Sequence, residues 1–591
     1  MEGKMSTERE KLIVANFSGF FGDRFSAAKE MIEGGPVHIL TGDYLAELTM
    51  AILLKQKLKD PAKGYAHTFL KQMEQVMGQC LDKKIQVVSN AGGLNPKALA
   101  AALEKIAETL GLHPTVAYIQ GDDLMPVLED LQAAGESFTH LDKGISLKEA
   151  GAQPITANAY LGGWGIARAL AEGADIVVGG RIADASLVVG SAAWHFGWRQ
   201  NDWDRLAGAA VAGHIIECSG QACGGNYSFI DEVPSYHNMG FPIAEINEDG
   251  SCVITKHPGT GGCVSVGTVT AQLLYEIREP RYLTPDVATR FDTIRIFQEG
   301  ADRVGINGVR GEPPPETTKV CINNMGGYSN SMTLLLAGPD IDKKARIIEE
   351  TLFTCLGGKG TFRETDVQLI RSDKENPASN EEAYAHLRLS VLDPDPKKVA
   401  RFSSKFIELA LCTVPGLALT SPPDKGRPVI AHWPALVSQS RVRQEVVVNG
   451  RALIIHPPPS EEHGPAPRPL PVQIPPSPAG PTVAVPLGRL YGARSGDKGG
   501  NANLGVWGKT PEAYAFLKEY LTVDQLKGLL PDMAAYEIER YELPNLFALN
   551  FYIEGVLGEG VSASLRMDPQ AKTLGEYLRT KIVQIPSELL G

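Results

Sequence analysis

Residues 213–218 (GHIIEC) combine three side chains that can move a proton or attack a substrate. His214 and Glu217 would share one face of a helix, because they are three positions apart. Such a pair can transfer a proton or ligate a metal ion, but no further ligand follows at a matching spacing, so we predict no metal. Cys218 would be a nucleophile if His214 took its proton, although an inert buried cysteine is the commoner case.

Residues 179–184 (GGRIAD) directly follow an apolar segment that is predicted to be a strand. Arg181 can hold a carboxylate through two parallel hydrogen bonds. Asp184 can orient that arginine, act as a base or cap the next helix, and capping is its commonest role. We predict Arg181 and Asp184 as catalytic residues, together with His214, Glu217 and Cys218.

Residues 256–263 (KHPGTGGC) form a glycine-rich turn before a predicted helix. Backbone N–H groups of such a turn can bind phosphate, pyrophosphate or carboxylate, and the helix N-terminus adds partial positive charge. The segment lacks the Gly-Lys-Ser/Thr of a Walker loop and full dinucleotide spacing. A plain tight turn explains it equally well. The predicted substrate-binding residues here are His257, Gly259, Thr260 and Gly261.

Residues 491–503 (YGARSGDKGGNAN) carry three charged side chains among four glycines. A loop that only joins two strands does not need this composition, so it indicates an anion- or partner-binding loop. A solvated turn is the alternative. The predicted substrate-binding residues in this loop are Arg494, Asp497 and Lys498.

The elements that must position these groups follow a β-α-β rhythm. Short apolar segments that are predicted to be strands alternate with helical patterns, at residues 13–15, 37–40, 85–88, 116–119 and 175–178. This rhythm predicts an α/β body with a mostly parallel, doubly wound sheet. Turn and cap residues follow every strand, and we call these loop segments the corners. Ligands bind beyond the carboxyl ends of such strands, so the corners together predict a site. The substrate-binding candidates at these corners, and in the glycine-rich stretch after the fifth of them, are Asn16, Asp43, Asn90, Gly92, Gly93 and Asn226.

A proline-rich stretch at residues 455–481 predicts the clearest domain boundary. Proline lacks a backbone N–H and favours extended conformations, so this stretch should be a linker. It separates a body at residues 1–454, which can comprise two lobes divided near 219–260, from a small α+β domain at residues 482–591.

The composition excludes several classes of protein. The 591 residues have a net charge of −12 and no clustered Lys or Arg, which argues against a nucleic-acid partner. Eight cysteines without a CxxC pair predict neither a disulfide framework nor a zinc site. The polar N-terminus and the lack of a long apolar run predict a cytoplasmic protein that does not enter a membrane. The first predicted strand lacks a GxGxxG motif, so we predict no nicotinamide cofactor, and we identify no other cofactor.

Several of these motifs together resemble the acyclic terpene utilisation protein A family (AtuA-like). The matching segments are residues 15–24 (ANFSGFFGDR), 41–47 (TGDYLAE), 90–93 (NAGG), Gly180-Arg181 with Asp184, 213–218 with 224–226 (GGN), and 257–259 (HPG). Residues 493–501 (ARSGDKGGN) resemble the ferredoxin-like domain that accompanies this family at the carboxy terminus. The resemblance implies a role near acyl-CoA catabolism of branched or isoprenoid chains, and it implies no established reaction or catalytic residues.

We therefore expect a catabolic enzyme that acts on a branched or isoprenoid acyl-CoA thioester or a related carboxylate. The reaction would be proton abstraction with hydration, elimination or C–C cleavage, and CoA would enter as part of the substrate. The alternative is a non-catalytic accessory or scaffold subunit of an acyl-CoA carboxylase or hydratase system. A small-molecule substrate and a homo-oligomer are the expected partners.

Overall fold

The computed structural model describes residues 10–465 and 467–590. These residues fall into two compact units. The first unit contains the described residues up to Ile322, then Trp433–Val556, and the described residues from Gln570 onward. The second unit contains Asn323–His432 and Leu557–Pro569. The body and the carboxy-terminal domain predicted above therefore both contribute to the first unit.

The strands are named in chain order. Up to residue 455 they are β1 (Leu12–Ser18), β2 (Ile39–Gly42), β3 (Gln86–Ser89), β4 (Val116–Gln120), β5 (Pro154–Ala159), β6 (Ile176–Gly179), β7 (Pro242–Ile246), β8 (Cys252–Lys256), β9 (Arg281–Leu283), β10 (Ala288–Arg290), β11 (Arg295–Gly300), β12 (Arg303–Asn307), β13 (Arg310–Glu312), β14 (Thr317–Ala337), β15 (Glu364–Ile370), β16 (Tyr384–Asp393), β17 (Leu417–Leu419), β18 (Arg427–Ser438), β19 (Gln444–Val448) and β20 (Arg451–Ile455). The later strands are β21 (Thr482–Pro486), β22 (Gly492–Lys498), β23 (Asn501–Trp507), β24 (Ile538–Leu543), β25 (Ala548–Ile553) and β26 (Ile582–Pro586).

The α-helices are named in the same way. They are α1 (Ala27–Gly34), α2 (Glu47–Lys59), α3 (His67–Lys83), α4 (Pro96–Leu110), α5 (Leu128–Ala133), α6 (Trp164–Ala171), α7 (Ser186–Phe196), α8 (Trp203–Ile216), α9 (Val266–Leu273), α10 (Ile341–Cys355), α11 (Pro396–Leu409), α12 (Pro511–Tyr520), α13 (Val523–Leu529) and α14 (Leu574–Arg579).

An eleven-stranded sheet forms the centre of the first unit, in the order β11-β12-β8-β7-β1-β2-β3-β6-β4-β19-β20. Only the neighbours within β1-β2-β3-β6-β4 are parallel, and these are the five strands predicted from the β-α-β rhythm. The strands on both sides pair antiparallel. The sheet is therefore mixed, and the predicted mostly parallel, doubly wound sheet needs correction. The physical reason is that β7-β8, β11-β12 and β19-β20 are hairpins, which need no crossover helix and must run antiparallel.

Alternate residues of the parallel strands enter two hydrophobic cores, one on each face of the sheet. Val88 and Val177 pack into the core that also contains the buried residues of α7 and α8. Their neighbours Val87 and Val178 pack into the core that contains the buried residues of α1, α3 and α4. Because both faces are covered, the middle residues of these strands are mostly apolar without strict alternation. Their carboxyl ends are the positions from which polar corner residues can meet.

The carboxy-terminal part of the first unit has its own sheet, in the antiparallel order β22-β23-β25-β24, with β21 paired to β26. The proline-rich stretch before it contacts the body. The N–H of Glu461 donates to the Pro314 carbonyl at 3.0 Å, and the Arg281 guanidinium donates to the Gly464 carbonyl at 3.0 Å. Within the second unit, β15, β16, β17 and the later part of β14 share a hydrophobic core with α10 and α11.

Candidate active site

The corners after β2 and β3 are joined by hydrogen bonds. The Asn90 amide nitrogen donates to the Asp43 carboxylate at 2.6 Å, and the Tyr44 N–H donates to the Asn90 side-chain oxygen at 2.8 Å. Gly92 is needed for close packing, since a Cβ there would lie 2.5 Å from the Gly179 carbonyl oxygen at the end of β6. Gly93 has a φ of +52°, which favours glycine. Gly92 therefore lets the corners after β3 and β6 approach closely.

Arg181 is buried at the corner after β6, with its side chain 3% exposed. Its Nη1 donates to Asp184 Oδ1 at 2.7 Å and to the Ile182 carbonyl at 3.2 Å, and its guanidinium lies 4.0 Å from the Tyr160 ring centroid. No side-chain cap is formed at the start of α7. Of the three roles predicted for Asp184, the contacts therefore support orientation of Arg181.

Asp122, at the corner after β4, fixes the backbone of the same corner. Its Oδ2 accepts from the Arg181 N–H at 2.9 Å and from the Asn158 side chain at 2.8 Å. Burial raises the pKa of Asp122 to about 6. Sequence reasoning did not select Asp122, although it stands in a Gly-Asp-Asp sequence after a predicted strand, which is the signal that could have found it.

His214 and Glu217 form a buried pair at the end of α8. Their Nδ1 and Oε1 atoms are 3.4 Å apart, and the two side chains are 1% and 7% exposed. His214 Nε2 lies 3.1 Å from the Gln272 carbonyl oxygen. A carbonyl can only accept, so Nε2 carries the hydrogen of the neutral ring and Nδ1 has the free lone pair facing Glu217. The ring packs against Tyr282 and Phe291, which hold it in place.

The electrostatic surroundings shift both members of this pair toward their uncharged forms. Burial, and then the charge of Lys498, lowers the pKa of His214 to about 4. Burial, and then repulsion by Asp184 and Glu276, raises the pKa of Glu217 well above its usual range. The pKa of Asp43 is raised in the same way, by burial and then by Asp184. Burial and repulsion by neighbouring carboxylates therefore favour the protonated forms of Asp43 and Glu217.

Three polar atoms around the pair have no hydrogen-bond partner among the described residues. They are Nδ1 of His214, Oε2 of Glu217 and the side-chain nitrogen of Gln272, and all three residues are at least nine-tenths buried. Asn16 has a buried side-chain oxygen in the same condition. Buried polar atoms are normally bonded, so these atoms are the ones that polar groups of a ligand can satisfy.

Cys218 lies beside the pair, but its environment does not favour a thiolate. Burial, and then the charges of Glu217 and Glu276, raises the pKa of Cys218 well above its usual range. Because the thiolate is the nucleophilic form, this environment supports the alternative of an inert buried cysteine.

The loop that holds His257 is tied to other parts of the body. The His257 Nε2 lies 2.8 Å from the Met31 carbonyl oxygen, and Lys256 pairs with Asp302 at 3.1 Å. Thr260 donates its hydroxyl to the His257 carbonyl at 2.7 Å, which closes the turn that also contains Gly259 and Gly261. None of the contacts described for His257 involves Arg181 or His214. The contacts support the tight-turn alternative, and anion binding by this loop stays a prediction.

The predicted loop of the carboxy-terminal domain does reach the segment that follows the pair. Arg494 donates to the Gln221 side-chain oxygen and, at 3.4 Å, to the Asn226 carbonyl. Asp497 pairs with Lys572 at 3.1 Å. Gln272, Glu276 and Tyr282 were missed from sequence, because neither their types nor their spacing connects them to His214.

Tyr160, which lies under Arg181, also lines a small cavity of about 30 Å³. Its other lining residues include Trp164, Asp286 and part of the proline-rich stretch. His214 and Glu217 are not among the residues that line it, so this cavity does not contain the acid–base pair.

Within residues 10–465 and 467–590, no group of three or more His, Cys, Asp or Glu side chains is arranged to hold a metal ion. In the same ranges, every helix is too short or too polar to cross a membrane.

Replacing His214 by Gln should flatten the pH dependence of stability in acid. The folded-state pKa of about 4 lies below the ordinary 6.5, so between these values the unfolded chain binds a proton that the folded chain does not. Wild-type stability should therefore fall as the pH drops through this window, by up to about 1.4 kcal/mol per pH unit from this residue. Urea denaturation at several pH values measures the slope. The exposed His113→Gln serves as the control, and an equal slope in wild type and His214→Gln would contradict the assignment.

These features define a class of protein: a mixed α/β body with a buried acid–base cluster at the carboxyl edge of its parallel strands, joined to a small antiparallel α+β domain. Residues 12–448 match the family model described as acyclic terpene utilisation family protein AtuA, and residues 485–584 match the AtuA ferredoxin-like domain. The chain belongs to the acyclic terpene utilisation family AtuA, which confirms the resemblance and the ferredoxin-like assignment. The comparison with curated proteins finds no match.

Proposed function

We propose that the protein is a catabolic enzyme that acts on a branched or isoprenoid acyl-CoA thioester or a related carboxylate. The reaction class is proton abstraction coupled to hydration, elimination or C–C cleavage. The family description, acyclic terpene utilisation, is compatible with catabolism of isoprenoid compounds. The proposal includes a small-molecule substrate, a homo-oligomeric assembly and a cytoplasmic location, and it includes no cofactor besides the CoA of the substrate.

The observation that carries the proposal is the buried His214–Glu217 pair. A general acid or base works best when its pKa lies near the operating pH. Burial among carboxylates raises the pKa of Glu217 from its ordinary acidic value in that direction. His214 presents an unprotonated Nδ1 to Glu217, because its other nitrogen donates to the Gln272 carbonyl. His214 Nδ1 would accept the hydrogen of the Glu217 carboxyl, and the carboxylate so formed would take the proton from the substrate.

Arg181 and Asp184 supply the second part of the proposed chemistry. Removing a proton next to a carbonyl places negative charge on the carbonyl oxygen, and a fixed positive charge in a dry site stabilises that charge. Arg181 is held by Asp184 and Tyr160, so it would not have to reorganise during the reaction. The charge of Arg181 lowers the pKa of both Asp43 and Glu217, so Arg181 acts on the same carboxyl groups that surround the acid–base pair.

Purified protein should bind members of a panel of acyl-CoA thioesters and free acids that differ in branching and chain length. We expect a raised thermal midpoint with at least one branched or isoprenoid member and a smaller rise with straight-chain controls. Turnover of the same compound would establish catalysis. An unchanged midpoint with every thioester and acid would overturn the proposal. A stoichiometric protein partner, with no effect from substituting Arg181 or His214, would favour the accessory subunit instead.

A further inference from the structure

We propose that the carboxy-terminal domain forms part of the catalytic site, where Arg494 and Lys498 supply positive charge for an anionic group of the substrate. This inference rests on the function proposed above and assigns two further residues to the same site.

Two buried asparagines fix the carboxy-terminal sheet against the body. The Asn503 side chain donates to the Leu274 carbonyl at 2.7 Å and accepts from the Glu276 N–H at 2.9 Å. The Asn550 side chain donates to the Ile277 carbonyl at 3.1 Å. Both asparagines are fully buried, so these hydrogen bonds define one position for the chain that follows α9.

The segment after α9, which these asparagines hold, contains two residues next to the proposed site, Tyr275 and Glu276. Glu276 has a φ of +58°, an uncommon conformation that the Asn503 hydrogen bond supports. Its charge raises the pKa of Glu217 and of Tyr275. The sheet approaches so closely that a Cβ on Gly496 would lie 2.5 Å from the Tyr275 ring, which explains a glycine at that position of β22.

Arg494 crosses from β22 to the segment that follows the acid–base pair. It donates to Gln221, four positions after Glu217, and its guanidinium lies 4.4 Å from the Tyr275 ring centroid. The residue is 8% exposed. The described partners of Arg494 are an amide, a carbonyl and an aromatic ring, and none of them is a carboxylate. An anionic ligand would therefore be a favourable partner for this buried arginine.

Lys498 ends β22, opposite Asn501 in the hairpin. Its charge lowers the pKa of His214 and of Glu217, so it acts on both members of the pair. The other charged groups that act on His214 are Glu276 and Asp184. Lys498 therefore acts on the pair through its charge from the end of β22, the strand that also carries Arg494.

A carboxylate and the phosphates of CoA share the anionic oxygens that Arg494 and Lys498 can bind. Dissociation constants should be measured for free CoA, for a free isoprenoid acid and for the thioester that binds wild type. The variants are Arg494→Gln and Lys498→Met, with the exposed Arg489→Gln of the same domain as control. We expect each site variant to weaken binding by about tenfold or more, and the control to bind as wild type does. If only the affinity for free CoA falls, the bound anion is a phosphate. If only the affinity for the free acid falls, the bound anion is a carboxylate.

A second measurement needs no ligand, so it separates this inference from the proposed function. The His214 ring, observed by NMR with His214→Gln for assignment, should titrate at higher pH in Lys498→Met. Lys498→Arg should restore the wild-type value, and Arg489→Gln should not change it. If wild type binds no panel member, the proposed function fails, and the His214 shift alone decides whether the domain faces the site. An unchanged His214 titration in Lys498→Met, or undiminished affinity in both site variants, would overturn the inference.

Discussion

Replacing Glu217 by Gln is expected to lower the turnover rate by about 100- to 10,000-fold while leaving substrate affinity within a few-fold of wild type. The carboxamide has the size of the protonated carboxyl and offers an N–H toward His214 Nδ1, but it cannot take up or release the proton. The fold should be retained, because the variant replaces a buried ionisable group with a neutral one. Steady-state kinetics and isothermal titration with the substrate found in the panel would measure the two effects.

The exposed Glu108→Gln, on α4, is the matched control and should have wild-type kinetics. The expected separation between turnover and affinity is what distinguishes a proton-transferring group from a structural one. Glu217→Gln with turnover equal to the control would remove the central residue of the proposed mechanism.

Replacing Arg181 by Met is expected to destabilise the protein by about 3–5 kcal/mol, because it leaves Asp184 without its partner beside two other carboxylates. The pKa values of Asp43 and Glu217 should rise further, since the charge of Arg181 lowers both. The loss of stability should therefore be larger at pH 8 than at pH 5, because the carboxyl groups of Asp43 and Glu217 are more fully protonated at pH 5. Urea denaturation at the two pH values would measure it.

Arg168→Met provides the comparison, since Arg168 forms an exposed ion pair with Glu172 whose loss should change stability by less than about 1 kcal/mol. Arg181→Met combined with Asp184→Asn should lose less stability than the sum of the single changes, because the second change removes the uncompensated charge. Strict additivity, or a loss no larger than that of Arg168→Met, would show that the buried pair is not coupled.

The central part of the fold could be predicted from sequence because buried parallel strands leave a strong local pattern. Apolar segments such as 85–88 and 175–178 correspond to β3 and β6, and polar corners follow them. The flanking strands could not be assigned in the same way. Short hairpin strands such as β7 and β8 have similar apolar composition, and nothing local indicates on which edge of the sheet they pair.

The same limit applies to the site. His214 with Glu217, and Arg181 with Asp184, are each separated by three residues, so a local pattern is enough to connect them. Gln272 and Glu276 join the site through the tertiary path of α9, and no periodicity connects them to His214. The glycine-rich turn at His257 shows a further limit, because a turn closed by its own hydrogen bonds and an anion-binding turn have the same composition.

The proposed function depends on proton transfer by groups that distant parts of the chain bring together, and solvent exchange tests this most directly. Wild-type protein and a branched acyl-CoA that binds it should be incubated in D₂O, and the recovered thioester analysed by mass spectrometry. We predict deuterium at an acidic carbon position, at a rate well above that without protein and abolished in Glu217→Gln. No incorporation into any thioester or carboxylate that binds, or equal incorporation with Glu217→Gln, would contradict the account.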